Sequence, residues 1–157
     1  MSFNTIASAI IDQSQAHLSF RELAAAPPGS LAGLSQTEGR QLMDALDVRT
    51  VTEFATSRYV MWAQAIVTLA KLDKTGQPVP GLAGALDPSW QTKPVRNLPA
   101  ASVSALAGVS DKEAKILAEI FGIKTIADLA GSVHVRKAQV IAHLAMIESG
   151  QMVKQAA

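Results

Sequence analysis

Cysteine is absent from the 157-residue chain, which removes disulfides, thiolate nucleophiles and cysteine-ligated zinc from its chemistry. Long apolar runs are missing too: none approaches the roughly 18 residues that span a bilayer. The opening stretch MSFNTIASAIIDQSQ lacks the positive n-region and cleavage site of a secretory signal. These absences predict a cytoplasmic protein with no membrane association. Charge of one sign is also scarce. Fourteen basic residues against 13 acidic ones leave a net charge of +1, so no strong field draws in nucleic acid or an anionic membrane. Residues 1–80 carry 6 basic and 7 acidic groups and residues 81–157 carry 8 and 6, which makes the second half slightly the more basic. No segment sustains a two-residue alternation of apolar and polar side chains, so no strand is predicted. There is also no nucleophile elbow, glycine-rich strand-to-helix turn or paired-carboxylate motif, and a non-enzymatic role is expected. The histidines, His17, His134 and His143, make no metal set: nine residues separate the last two, which puts them about 180° apart around a helix. Neither metal nor cofactor is expected.

What is present is a core-rich composition, 48% apolar with only 17% charged residues, and an internal repeat. Laid over residues 95–148 without a gap, residues 20–73 are identical at 19 of 54 positions. The matches include Arg21 with Arg96, Leu31 with Leu106, Gly33 with Gly108, Ser35 with Ser110, Glu38 with Glu113, and Ala63-Gln64 with Ala138-Gln139. Two copies of a unit too small to bury its own apolar face are expected to pack around an approximate two-fold axis.

Each copy is punctuated as helix. Ser35-Gln36-Thr37-Glu38 and Ser110-Asp111-Lys112-Glu113 fit the capping box S-x-x-E, predicting helices that run to about Leu46 and Phe121. Gly122 suits a left-handed stop; Asp47 in the first copy is a poorer one. Thr50-Val51-Thr52-Glu53 and Thr125-Ile126-Ala127-Asp128 open short helices, and Ser57 and Ser132 stand as N-caps for long ones over 58–72 and 133–148. The expected organisation is an N-terminal helix in 1–19 (covering 3–17), a first repeat over 20–73, a Pro/Gly-rich extended connector over 74–94, a second repeat over 95–148, and a tail over 149–157. The fold class is all-α.

Gly108-Val109-Ser110-Asp111-Lys112-Glu113-Ala114, followed by Gly122-Ile123-Lys124-Thr125-Ile126-Ala127-Asp128-Leu129, resembles the helix-hairpin-helix family over about 30 residues. The first copy is less similar, with Gly39 in place of the alanine and Asp47-Val48 in place of Gly-Ile. The resemblance implies a SAM-like helical fold. Members of the family commonly bind the DNA backbone through hairpin amides and a nearby lysine, and others use the fold for protein contacts. Carried onto this chain, the DNA-binding set is Gly108, Ser110, Lys112, Lys115 and Lys124, with Arg136 and Lys137 as further cations. Against it, the second hairpin glycine of the family pattern is Ser35 or Ser110 here, and Asp111, Glu113 and Asp128 interrupt the lysines. A serine that caps a helix has its side chain occupied locally.

A protein-interaction or scaffold role is therefore the leading expectation, with sequence-independent DNA binding as the alternative. The partner is another protein or a second copy of the chain in a homodimer. The most informative divergence between the copies is Arg58-Tyr59-Val60-Met61-Trp62, which stands opposite Val133-His134-Val135-Arg136-Lys137. The N-terminal helix, through Ile6, Ile10 and Ile11, is expected to cover Met61 and Trp62. Left exposed, Arg58, Tyr59, Met61 and Trp62 would form an interface, since such side chains are enriched at interface centres. Trp90, in the connector, either pins that connector to the body or serves as an outlying anchor.

Overall fold

The structure, a computed structural model, describes residues 10–12 and 17–150. Among these the chain is mostly helical and has no strand, only three isolated antiparallel bridges. The α-helices are α1 (Phe20–Ala24), α2 (Gln36–Leu46), α3 (Val51–Ala55), α4 (Arg58–Leu72), α5 (Asp111–Phe121), α6 (Ile126–Ala130) and α7 (Val133–Glu148). Short 3-10 turns fill most of the intervals.

The helix starts follow from local chemistry. Ser35 Oγ accepts from the Glu38 amide at 3.1 Å while the Glu38 carboxylate accepts from the Ser35 amide at 3.0 Å. Ser110 and Glu113 make the same pair of bonds, both at 3.1 Å. Each pair satisfies two of the amides that a helix start leaves without partners. A third box, Ser19 with Glu22, opens α1 and was legible as S-x-x-E, yet it is not among the starts the sequence reading singles out. At α3 the box is incomplete: Thr50 accepts from Glu53, but Glu53 accepts from the Arg49 amide instead of from Thr50. Ser57 occupies the N-cap position of α4 without a capping bond from its hydroxyl, so its expected role is corrected there. α2 stops at Asp47, the one non-glycine residue with positive φ (54°) among the described residues, and α5 at Gly122 (67°).

The chain divides into two compact units whose boundaries differ from the expected segments. One comprises residues 1–56 and 133–157; the other comprises residues 57–132. The long helix that closes each sequence repeat thus belongs to the compact unit built on the other repeat. Only Thr56 and Ser57 lie between α3 and α4, and short hinges of this kind favour exchange of elements over folding back.

In the first unit, α7 packs on α1 and α3, and Glu148 at its end accepts from the Phe20 and Arg21 amides at 3.2 and 3.1 Å. Leu23, Leu31, Leu42, Phe54, Val135 and Ile141 are fully buried. The helix expected over 3–17 falls mainly outside the described residues. At 10–12, which are described, Ile11 is instead bridged to Leu31, with Asp12 N donating to Ser30 O (2.9 Å) and Ala32 N to Ile10 O (3.1 Å).

In the second unit, α4 packs on α6 and on the turn Val95–Asn97. Val60, Ile66, Leu98, Leu106, Leu117 and Leu129 are fully buried. The connector is not simply extended. It contains the 3-10 turns Pro80–Ala85 and Pro88–Trp90, and Leu86 bridges Leu106, with Asp87 N donating to Ala105 O (2.8 Å) and Ala107 N to Ala85 O (2.9 Å).

Candidate functional site

The proposed interface residues start at the first turn of α4. Arg58 donates to the Tyr59 hydroxyl at 3.0 Å, and its guanidinium carbon lies 5.0 Å from the Tyr59 ring centre and 5.9 Å from that of Trp62. The two rings meet edge to face at 5.8 Å. Cation–π and edge-to-face contacts of this kind hold the three side chains as one cluster. Tyr59 is buried, its hydroxyl 3.5 Å from the carbonyl oxygen of Gly108 in the same unit. It is therefore a core residue that ties α4 to the hairpin, which corrects its expected place on a docking surface. Trp62 is half-buried and Met61 is 55% exposed; the helix expected to cover them lies mainly outside the described residues.

Farther along α4 an apolar row continues on the solvent side, beside the exposed Thr68 and Lys71. Met61, Ala65, Leu69 and Leu72 are all exposed, and at 100° per residue they fall within about 80° of one another, a single row. Sequence reasoning found the start of this row but not its continuation to Leu72. The signal was the 61-65-69-72 spacing in a helix that looks apolar nearly all round. Trp90 is half-buried at the end of its turn. The bridge of Leu86 to Leu106 ties the connector to the body of the second unit.

The residues of the DNA-binding alternative are shared between the two compact units. Gly108 has φ +92°, which disfavours any side chain, and a Cβ placed there would lie 2.9 Å from the Tyr59 hydroxyl. The Ser110 side chain is committed to its cap. Lys112, Lys115 and Lys124 are exposed in the second unit; Lys115 approaches Glu119 at 3.9 Å, and the Lys124 amide donates to Asp128. Arg136 and Lys137 belong to the first unit, where Lys137 Nζ donates to Ala32 O at 3.0 Å beside the first hairpin. His134, half-buried near Gly33, has its pKa lowered chiefly by burial and then by the Lys137 charge, with Glu38 opposing. No group of three potential metal ligands occurs among the described residues, and no described helix is long and apolar enough to cross a membrane.

Comparison with family models, curated proteins and solved structures produced no match to this chain.

Proposed function

We propose that the chain is a non-catalytic protein-interaction module made of two helix-hairpin-helix-like copies, with α4 as its contact surface. The duplication is supported by hydrogen bonds that recur 75 residues on. Asp12 N to Ser30 O has its counterpart in Asp87 N to Ala105 O, Ala32 N to Ile10 O in Ala107 N to Ala85 O, and Val51 N to Ala26 O in Ile126 N to Ala101 O. The single observation that carries the interaction reading is the exposed row on α4, ending in Leu72 at 69% exposure. Large side chains aligned along one helix face are costly to leave in water, and they suit the apolar groove or helix of a partner, or a second copy across a two-fold axis.

The DNA alternative is weaker because phosphate binding depends on cations acting together, and Asp111, Glu113 and Asp128 interrupt the few lysines of the second copy. Replacing Met61 and Leu72 together with aspartate tests the proposal. Helix content should be unchanged, while self-association in light scattering, or capture of a protein partner by the tagged chain, is lost. Unchanged association would refute it. Salt-sensitive binding of duplex DNA, abolished by changing Lys112 and Lys115 to glutamate, would put the alternative in its place.

A further inference from the structure

Independently of that reading, we propose that a cavity of about 400 Å³ in the first unit, between α1, α3 and α7, binds a small organic carboxylate. The volume lies within the range of about 300–1,000 Å³ usual for small-molecule sites. Its wall is apolar, formed by Ala24, Ala55, Ala142, Ala145 and Met146. Small side chains at all but one of these positions are what leave the space open between helices packed this closely.

The polar groups of the cavity select the ligand's charge. Three hydroxyls line it, and each already donates to a backbone carbonyl: Thr52 to Ala24 O at 3.0 Å, Thr56 to Thr52 O at 2.8 Å and Ser149 to Met146 O at 2.8 Å. The two cation-forming side chains in the lining are Arg21 and His143, and no aspartate or glutamate lines it. Glu22 and Glu148 border a neighbouring depression that Arg21 also lines, and neither makes an ion pair with Arg21. Glu148 is engaged by the Phe20 and Arg21 amides. An arginine lining an otherwise apolar wall, with hydroxyl protons committed elsewhere, suits an anion attached to an apolar body.

The second unit indicates which anion. Arg96, the residue 75 positions after Arg21, is met by the Asp73 carboxylate at 2.9 Å, and Asp73 stands 75 positions before Glu148. Arg96 thus has a carboxylate supplied by its own chain, whereas Arg21 has none. A ligand carboxylate would complete at Arg21 the pair that Asp73 makes at Arg96.

The full chain, labelled with ¹⁵N, should be titrated with sodium hexanoate while amide shifts are followed. Saturable shifts are expected at Ala24, Ala55, Ala142 and Ala145. Binding should weaken about tenfold or more for the neutral isostere hexanamide, and to a similar extent for hexanoate with R21Q, since each loses one charged partner of the pair. R96Q should leave hexanoate binding unchanged. The absence of saturable shifts at these alanines would overturn the proposal. So would equal binding of hexanamide, equal binding by R21Q, or inorganic phosphate binding there as tightly as hexanoate. The hexanamide comparison needs no variant, so the test stands even if R21Q folds poorly.

Discussion

The turns at Gly33 and Gly108 meet the long helices of their compact units through different chemistry. At Gly108 the contact is a phenol: Tyr59 is buried, its hydroxyl near the glycine carbonyl and held by Arg58. At Gly33, 75 positions earlier, the neighbours are His134, whose Cε1 would lie 3.7 Å from an added Cβ, and Lys137, whose Nζ caps the Ala32 carbonyl. One unit thus closes with an aromatic cluster and the other with a half-buried imidazole and a lysine. The same anchoring task tolerates either solution, and the imidazole adds a pH response of its own.

The largest effect should come from cutting the chain where the compact units divide and not where the sequence repeats. Residues 57–132 hold α4 with the hairpin it packs on, so this fragment should give a helical circular dichroism spectrum and a cooperative urea transition. Residues 94–157 lack α4 and should not. Truncation after residue 132 removes Val135, Ala138 and Ile141, all with no exposure, and should unfold the first unit. A cooperative transition from 94–157 together with none from 57–132 would reverse the assignment of the long helices.

Close packing separates the units next. The second copy has Ala114 where the first has Gly39, and a Cβ on Gly39 would lie 2.8 Å from both Cα and N of Gly29. Backbone cannot yield as a flexible side chain can. Gly39→Ala should therefore destabilise toward the upper end of the roughly 1–3 kcal/mol usual for overpacking, despite alanine's better helix propensity. An unchanged urea midpoint would mean that the turn at Pro28–Ser30 moves freely.

A smaller effect of opposite sign is expected at the helix stops. Asp47 holds φ 54° where the second unit places Gly122 at 67°. Asp47→Gly relieves a left-handed conformation that costs an ordinary L-residue about 1–2 kcal/mol and aspartate somewhat less, so a gain of about 0.5–1 kcal/mol in urea unfolding is expected. Loss of stability would show that the Asp47 carboxylate, 3.8 Å from Arg49, contributes more than its backbone costs.

Capping boxes and the 75-residue repeat made the helices legible in the sequence, because Ser and Thr caps act within four residues of themselves. The bounds 36–46 and 111–121 follow from that local chemistry, and 58–72 and 133–148 were read from serines at the right places, although Ser57 makes no capping bond. The allocation of α4 and α7 did not follow, since a long apolar helix carries no mark of which hairpin it will cover. Gly39 looked like a departure from a family pattern, and its reason, the close approach of Gly29, exists only in three dimensions. At the candidate site, Met61 was visible as a divergence between copies. The burial of Tyr59 was not, because its partner is a carbonyl 49 residues away.

The smallest difference expected between the units is a pH dependence, and its sign follows from His134. Burial and the Lys137 charge lower its pKa below the usual 6.5, Glu38 opposing, so the folded first unit favours neutral imidazole. The unfolded chain then binds protons first as pH falls, and stability is lost as pH drops through 6.5 toward the lower folded value. Glu22, Glu38, Asp73 and Asp128 also have lowered values, through hydrogen bonds from neighbouring backbone amides first. Their contributions are present above the unfolded values of 4.5 for glutamate and 3.8 for aspartate and fade only below them, a more acidic window shared by both units. Urea midpoints of the full chain between pH 7.5 and 5.5 should therefore decline, and the decline should vanish in His134→Tyr, which installs the residue found at position 59. A decline that persists in that variant would assign the titration elsewhere, and a rise in stability toward pH 5.5 would mean that Glu38 outweighs burial and Lys137.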